Sequence, residues 1–122
     1  MAKHSIVHVE IPAANRMAAG DFYSKVFGWE IQQHPEMNYA VFNTGSMPGG
    51  GFSPTSGEQA AEAGKVMVFI GTDDIEDSLA TIQANGGSTV LPKTEIPGIG
   101  WFAVFTDPTG NNLALFTDSS MR

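Results

Sequence analysis

Side chains alternate from His4 to Ile11, with the apolar Val7, Val9 and Ile11 on one face of an extended segment and Ile6, His8 and Glu10 on the other. Pro12 ends that strand by removing an amide donor. Asn15 predicts an N-cap for a helix from Arg16 to about Phe27, with Ala18, Phe22 and Val26 stacked at i, i+4 spacing and Gly28 as the stop. Strands follow over Trp29 to Gln33 and Asn38 to Thr44, broken by His34-Pro35. Met47 to Pro54, with Gly49, Gly50 and Gly51 in succession, reads either as an irregular short strand or as a loop. Ser56 to Gly64 is small, polar and acidic, and reads as a central linker.

The second half repeats this order. Lys65 to Gly71 is a continuous apolar strand, and Asp74 caps a helix from Ile75 to Asn85 with Ile75, Leu79 and Ile82 on one face. Gly86-Gly87 closes the helix. Strands are expected at about Ser88 to Leu91, Trp101 to Thr106 and Asn112 to Thr117, with Pro92 to Gly100 as a connecting loop. The last two strands are joined by Asp107-Pro108-Thr109-Gly110-Asn111, where proline pre-sets φ, the Asp107 side chain can bond backbone two residues on, and Gly110 tolerates positive φ. Tyr39-Ala40-Val41-Phe42 is echoed by Phe102-Ala103-Val104-Phe105. The pattern predicts an α+β fold: two tandem βαβββ modules, about residues 4–55 and 65–118, within one domain over 1–122. Their sheets would form a curled, mixed, mostly antiparallel surface around an open cup, with helices outside.

Composition narrows the partners. Lys plus Arg number 6 against 13 Asp plus Glu, a formal net charge of -7, which argues against nucleic acid and anionic membranes. With no cysteine there is no disulfide, thiolate metal site or cysteine nucleophile. No apolar run approaches the ~20 residues that span a bilayer, and MAKHSIVHV lacks the pattern of a signal peptide. A cytoplasmic location is the resulting expectation.

Three segments carry a family resemblance: Phe22-Tyr23 through Phe27-Gly28-Trp29, Thr72-Asp73-Asp74-Ile75 before the second helix, and Asp107-Pro108-Thr109-Gly110-Asn111 in the last hairpin. In register with two βαβββ units, they resemble the vicinal oxygen chelate superfamily, which includes glyoxalase I, extradiol dioxygenases and the fosfomycin- and bleomycin-resistance proteins. The likeness runs from about Ile6 to Thr117. In metal-dependent members of that superfamily, His or Glu side chains from four strands hold the ion. By position, those ligands fall here on His8, Met67, Ala114 and a site near Gly51 or Phe52. A lone histidine cannot supply the three or four ligands that a catalytic Zn, Ni or Mn site requires. The resemblance also implies pairing as a homodimer.

His8 and Glu10 share a strand face and read either as a general base with its helper or as a hydrogen-bonded histidine beside a solvated carboxylate. His4 and His34 read as surface residues. Met67 with Phe69, and Ala114 with Phe116, would line the cup and make it apolar, or fill a core; Phe42 and Trp101 are further lining candidates. The triple glycine lacks the Lys-Ser/Thr and helix of a phosphate-binding loop and reads as a lip over the cup or a close backbone approach. Helix capping accounts for Asp73, Asp74, Glu76 and Asp77. Two functions stay open: binding of a small organic molecule without a catalytic metal, and a metal-dependent lyase or dioxygenase of the glyoxalase type using His8.

Overall fold

The computed structural model describes residues 4–57 and 60–119, so Glu58 and Gln59 of the expected linker lie outside the described residues. Its elements are β1 (Ile6–Pro12), α1 (Arg16–Phe27), β2 (Glu30–His34), β3 (Tyr39–Asn43), β4 (Gly49–Ser53), β5 (Met67–Gly71), α2 (Ile75–Ala84), β6 (Ser88–Ile96), β7 (Gly100–Thr106) and β8 (Asn112–Asp118). A 3₁₀ turn over Pro35–Met37 links β2 to β3. This is the βαβββ order twice, an α+β fold. No helix among the described residues is long and apolar enough to cross a membrane. The chain divides into two compact units, His8–Met67 and the remainder, in which the start of β1 stays with β5; there Gly71 N–H donates to Ser5 O at 2.8 Å.

In the His8–Met67 unit the strands lie in the order β2-β3-β4-β1. β4 runs parallel to β1, and the other neighbours are antiparallel. Asn15 caps α1 by accepting from Ala18 N–H at 3.0 Å, and Gly28 ends it in the left-handed conformation at φ 75°. The core is Ala40, Phe42 and Phe52, against which Val9, Ile11, Ala19, Tyr23, Trp29 and Ile31 pack. Tyr23 stacks on Trp29 at 4.9 Å between ring centroids, and Trp29 on Phe42 at 4.6 Å.

One expectation changes here, and one open alternative is decided. Ala18, Phe22 and Val26 form an exposed stripe, Phe22 being 55% exposed, while Ala19, Gly20 and Tyr23 turn inward. Both stripes have i, i+4 spacing, and the aromatic stack from Tyr23 through Trp29 to Phe42 decides which one is buried. The triple glycine is neither loop nor lip: it is β4, paired on both sides by β3 and β1. A Cβ on Gly50 would overlap the Phe42 ring and the Val9 carbonyl, and one on Gly51 would overlap the Tyr39 hydroxyl. Aromatic rings from β3 lie over both faces of β4, and only a strand without side chains lets them pass.

In the other unit the order is β5-β8-β7-β6, with β5 parallel to β8 and the remaining pairs antiparallel. Asp74 caps α2 by accepting from Asp77 N–H at 3.0 Å. Ile75 and Leu79 pack with Ala103, Phe105 and Leu115, joined by Ile70, Ile82, Trp101 and Leu113. β6 continues through Pro92 to Ile96, well past the expected end at Leu91, so the loop before β7 is short. The register slips between Thr89 and Leu91 and again between Leu91 and Thr94, which lets this edge strand carry a proline. The repeated tetrapeptides occupy the third strand of each unit. In both, alanine and phenylalanine face the helix: Ala40 and Phe42 in one, Ala103 and Phe105 in the other.

Candidate functional site

Alternation along β1 sends Val9 and Ile11 into the core beneath α1, so His8 and Glu10 stand on the face away from the helix. Register places Gly51 opposite Glu10 on β1 and opposite Val41 on β3. Tyr39, two residues before Val41, shares that face and lays its phenol across the bare backbone of Gly51. Its hydroxyl donates to Glu10 Oε2. His8 Nε2 lies 2.7 Å from the same Oε2 and 3.1 Å from Tyr39 Oη. A carboxylate only accepts, and the tyrosine hydrogen points at Glu10, so His8 Nε2 carries a hydrogen shared between these two oxygens. Burial, then the charge of Glu10, then the hydrogen bond to it hold the Tyr39 hydroxyl well above its ordinary pKa, so it remains a donor. The side chains of His8 and Glu10 keep 31% and 18% of their exposure, which leaves the cluster reachable from solvent.

Of the sequence candidates, His8 and Glu10 thus come together, and Tyr39 and Gly51 complete the cluster. Tyr39 entered the sequence reading only as part of a repeat. The signal that could have found it is its face, since it alternates with the buried Ala40 and Phe42. Phe42 and Trp101 lie on the other side. Phe42 is 3% exposed in the core beneath α1, and Trp101 packs toward α2 with Ala103 and Phe105. Strand alternation puts both on the helix-covered side.

The corresponding positions of the second unit are apolar. There Phe69 pairs with Ala114, Ala114 with Val104, and Phe116 with Phe102. These residues alternate with Ile70, Leu115, Ala103 and Phe105, which face α2, so they stand on the side away from it. Matching the ladders, Phe69 occupies the place of Glu10, Phe102 of Tyr39 and Ala114 of Gly51, and Met67, two residues before Phe69 on β5, stands where His8 stands on β1. One fold unit, used twice, carries a polar cluster in the first copy and an apolar face in the second.

Among the described residues no three His, Cys, Asp or Glu side chains are grouped to hold a metal, and Met67 and Ala114 offer no hard donor. What the cluster can do is accept hydrogen bonds at a carboxylate held in place by an imidazole and a phenol.

Comparison with known proteins is consistent with this architecture. CFP32 of Mycobacterium bovis is 24% identical over 124 residues, covering 88% of this chain. The chain spans only 43% of the length of that relative. A glyoxylase-like domain-containing protein of Didymella fabae is 29% identical over 117 residues, covering 89% of this chain and 90% of its own length. Among solved structures, methylmalonyl-CoA epimerase from Mycobacterium tuberculosis superposes with a TM-score of 0.70 at 14% identity, covering 93% of this chain and 87% of that one, which is likeness of fold. The family model for the Glyoxalase/Bleomycin resistance protein/Dioxygenase superfamily matches residues 5–115. The chain therefore belongs to the glyoxalase/bleomycin resistance protein/dioxygenase superfamily.

Proposed function

We propose that this chain binds a small organic molecule on the sheet face that carries His8, Glu10 and Tyr39, and that it does so without a catalytic metal. The observation that carries the reading is the hydrogen-bonded His8–Glu10–Tyr39 cluster, part-buried and on the side away from α1. A few fixed polar groups beside apolar surface are what a small-molecule site needs. In the repeat, Phe69, Ala114 and Phe116 hold the corresponding positions and form an apolar face of that unit. The same reading has the protein working in the cytoplasm as a homodimer, with neither nucleic acid nor membrane as partner, which its charge of -7 supports.

The test is metal content of protein purified without chelators or an affinity tag, together with melting temperatures in Zn, Ni, Mn, Fe(II) and Co. The expected result is sub-stoichiometric metal, no ion-specific shift, and stabilisation by one or more small aromatic molecules. Stoichiometric metal would overturn the reading in favour of a lyase or dioxygenase that uses His8 as a ligand. A companion prediction concerns His8→Ala, which should weaken binding of such a stabilising molecule more than it lowers the melting temperature. Equal loss of both would make His8 structural.

A further inference from the structure

We infer that the ligand of this site presents a hydrogen-bond-donating group, a hydroxyl, amide N–H or ammonium, to Glu10 Oε1, and that organic anions are excluded. The inference rests on the binding function proposed above and specifies its ligand class.

Both internal donors of the cluster, His8 Nε2 and the Tyr39 hydroxyl, converge on one oxygen, Oε2. Among the described residues no donor meets Oε1, while the Glu10 side chain keeps 18% of its exposure. Two donors on Oε2 fix the carboxylate's orientation, so Oε1 is a pre-aimed acceptor, and its partner must bring a hydrogen. Gly51 forms the floor beneath Tyr39, so the acceptor is held by strand register instead of a mobile loop.

Charge excludes the opposite class. A ligand carboxylate or phosphate needs a cation, and the cluster supplies none besides His8, whose Nε2 hydrogen is already directed at Glu10 and Tyr39. The described lysines and arginine are engaged or placed elsewhere. Arg16 bonds Gln33 at 2.7 Å beside α1, Lys65 pairs with Glu62 at 3.2 Å, Lys93 lies over Trp101, and Lys25 is in the last turn of α1. The surrounding field, with net charge -7, repels anions further. A polyanionic acyl-CoA, such as the substrate that names the epimerase of similar fold, is therefore a poor match for this surface.

The test titrates ¹⁵N-labelled protein at pH 7 with three probes of matched size: benzylamine (protonated at this pH), benzyl alcohol and benzoate. Benzylamine and benzyl alcohol should shift the amides of residues 8–10 and 49–51, and benzoate should not. Glu10→Gln, which keeps an acceptor for His8 and Tyr39 but removes the charge, should weaken benzylamine about tenfold or more. Benzoate binding at these amides as tightly as benzylamine would overturn the inference yet leave the binding function standing. Benzylamine affinity unchanged in Glu10→Gln would also overturn it. If no probe of the three moves these amides at millimolar concentration the inference fails, and the aromatic screen above then decides the binding function separately. Should Glu10→Gln not fold, the contrast between benzylamine and benzoate on the unmodified chain decides alone.

Discussion

Tyr39 reaches a carboxylate on β1 across the strand between them, and it can do so because that strand has glycine at position 51. Gly51→Ala should therefore act at the site and in the core at once. The new methyl displaces the Tyr39 phenol, at a cost of about 1–3 kcal/mol typical of overpacking, and the Glu10 carboxylate loses a donor. Urea melts measure the first effect and probe titrations the second. Tyr39 also has an alkaline signature. Its pKa is raised in the folded protein from an unfolded value of 10.0, so the folded state binds the extra proton above that pH. Stability supplied by this proton is complete below about pH 10 and declines as pH rises beyond it. Tyr39→Phe should flatten that decline in melts between pH 9 and about pH 11; an unchanged slope would show that the phenol is not held in this way.

Among the elements, the β7–β8 turn is the most self-contained. Asp107 Oδ1 accepts from Thr109 N–H at 2.9 Å, Thr109 Oγ1 at 2.9 Å and Asn111 N–H at 3.0 Å, and Asp107 N–H donates to Asn111 O at 2.8 Å. These bonds, led by the Asn111 backbone amide, draw the Asp107 carboxyl down to about 2. A lowered carboxyl pKa stabilises the fold above the unfolded value and loses that contribution as pH falls toward the folded one. The window is therefore roughly pH 4 down to pH 2. Asp107→Asn should remove the acid dependence arising in that window, as read from thermal melts at stepped pH. At the start of α1, Asn15→Ala should cost about 1 kcal/mol by leaving the Ala18 amide without its cap.

At the scale of the whole molecule, the repeated unit explains how one fold carries two kinds of face. Equivalent ladder positions hold Glu10 and Phe69, Tyr39 and Phe102, Gly51 and Ala114. A carboxylate is tolerated at the first because a phenol and an imidazole answer it. At the second, the ladder partner is Ala114, which in turn pairs with Val104. Phe69→Glu should accordingly destabilise the protein by about 2–4 kcal/mol, through a carboxylate facing apolar neighbours and lost ring packing. Denaturant unfolding checks this, and a loss below about 0.5 kcal/mol, the usual scale of a surface change, would mean the position behaves as open surface.

Much of this architecture is local information. Caps at Asn15 and Asp74, the Asp107 turn, the two helices and the doubled βαβββ order follow from side chains acting within a few residues of themselves, and the sequence alone determines them. The absence of cysteine and the excess of acid are fixed in the same way. Four features lay beyond its reach. Whether Gly49 to Gly51 is strand or loop depends on partners on both sides. Which stripe of α1 is buried depends on the aromatic stack beneath it. The inward direction of Phe42 and Trp101 depends on which face of each sheet receives its helix. The fourth is the partner of His8 and Glu10: Tyr39 is 31 and 29 residues away from them, and alternation gives its face but not its neighbours. Only strand register, set by long-range pairing and by the space that glycine leaves, brings these three side chains to one place.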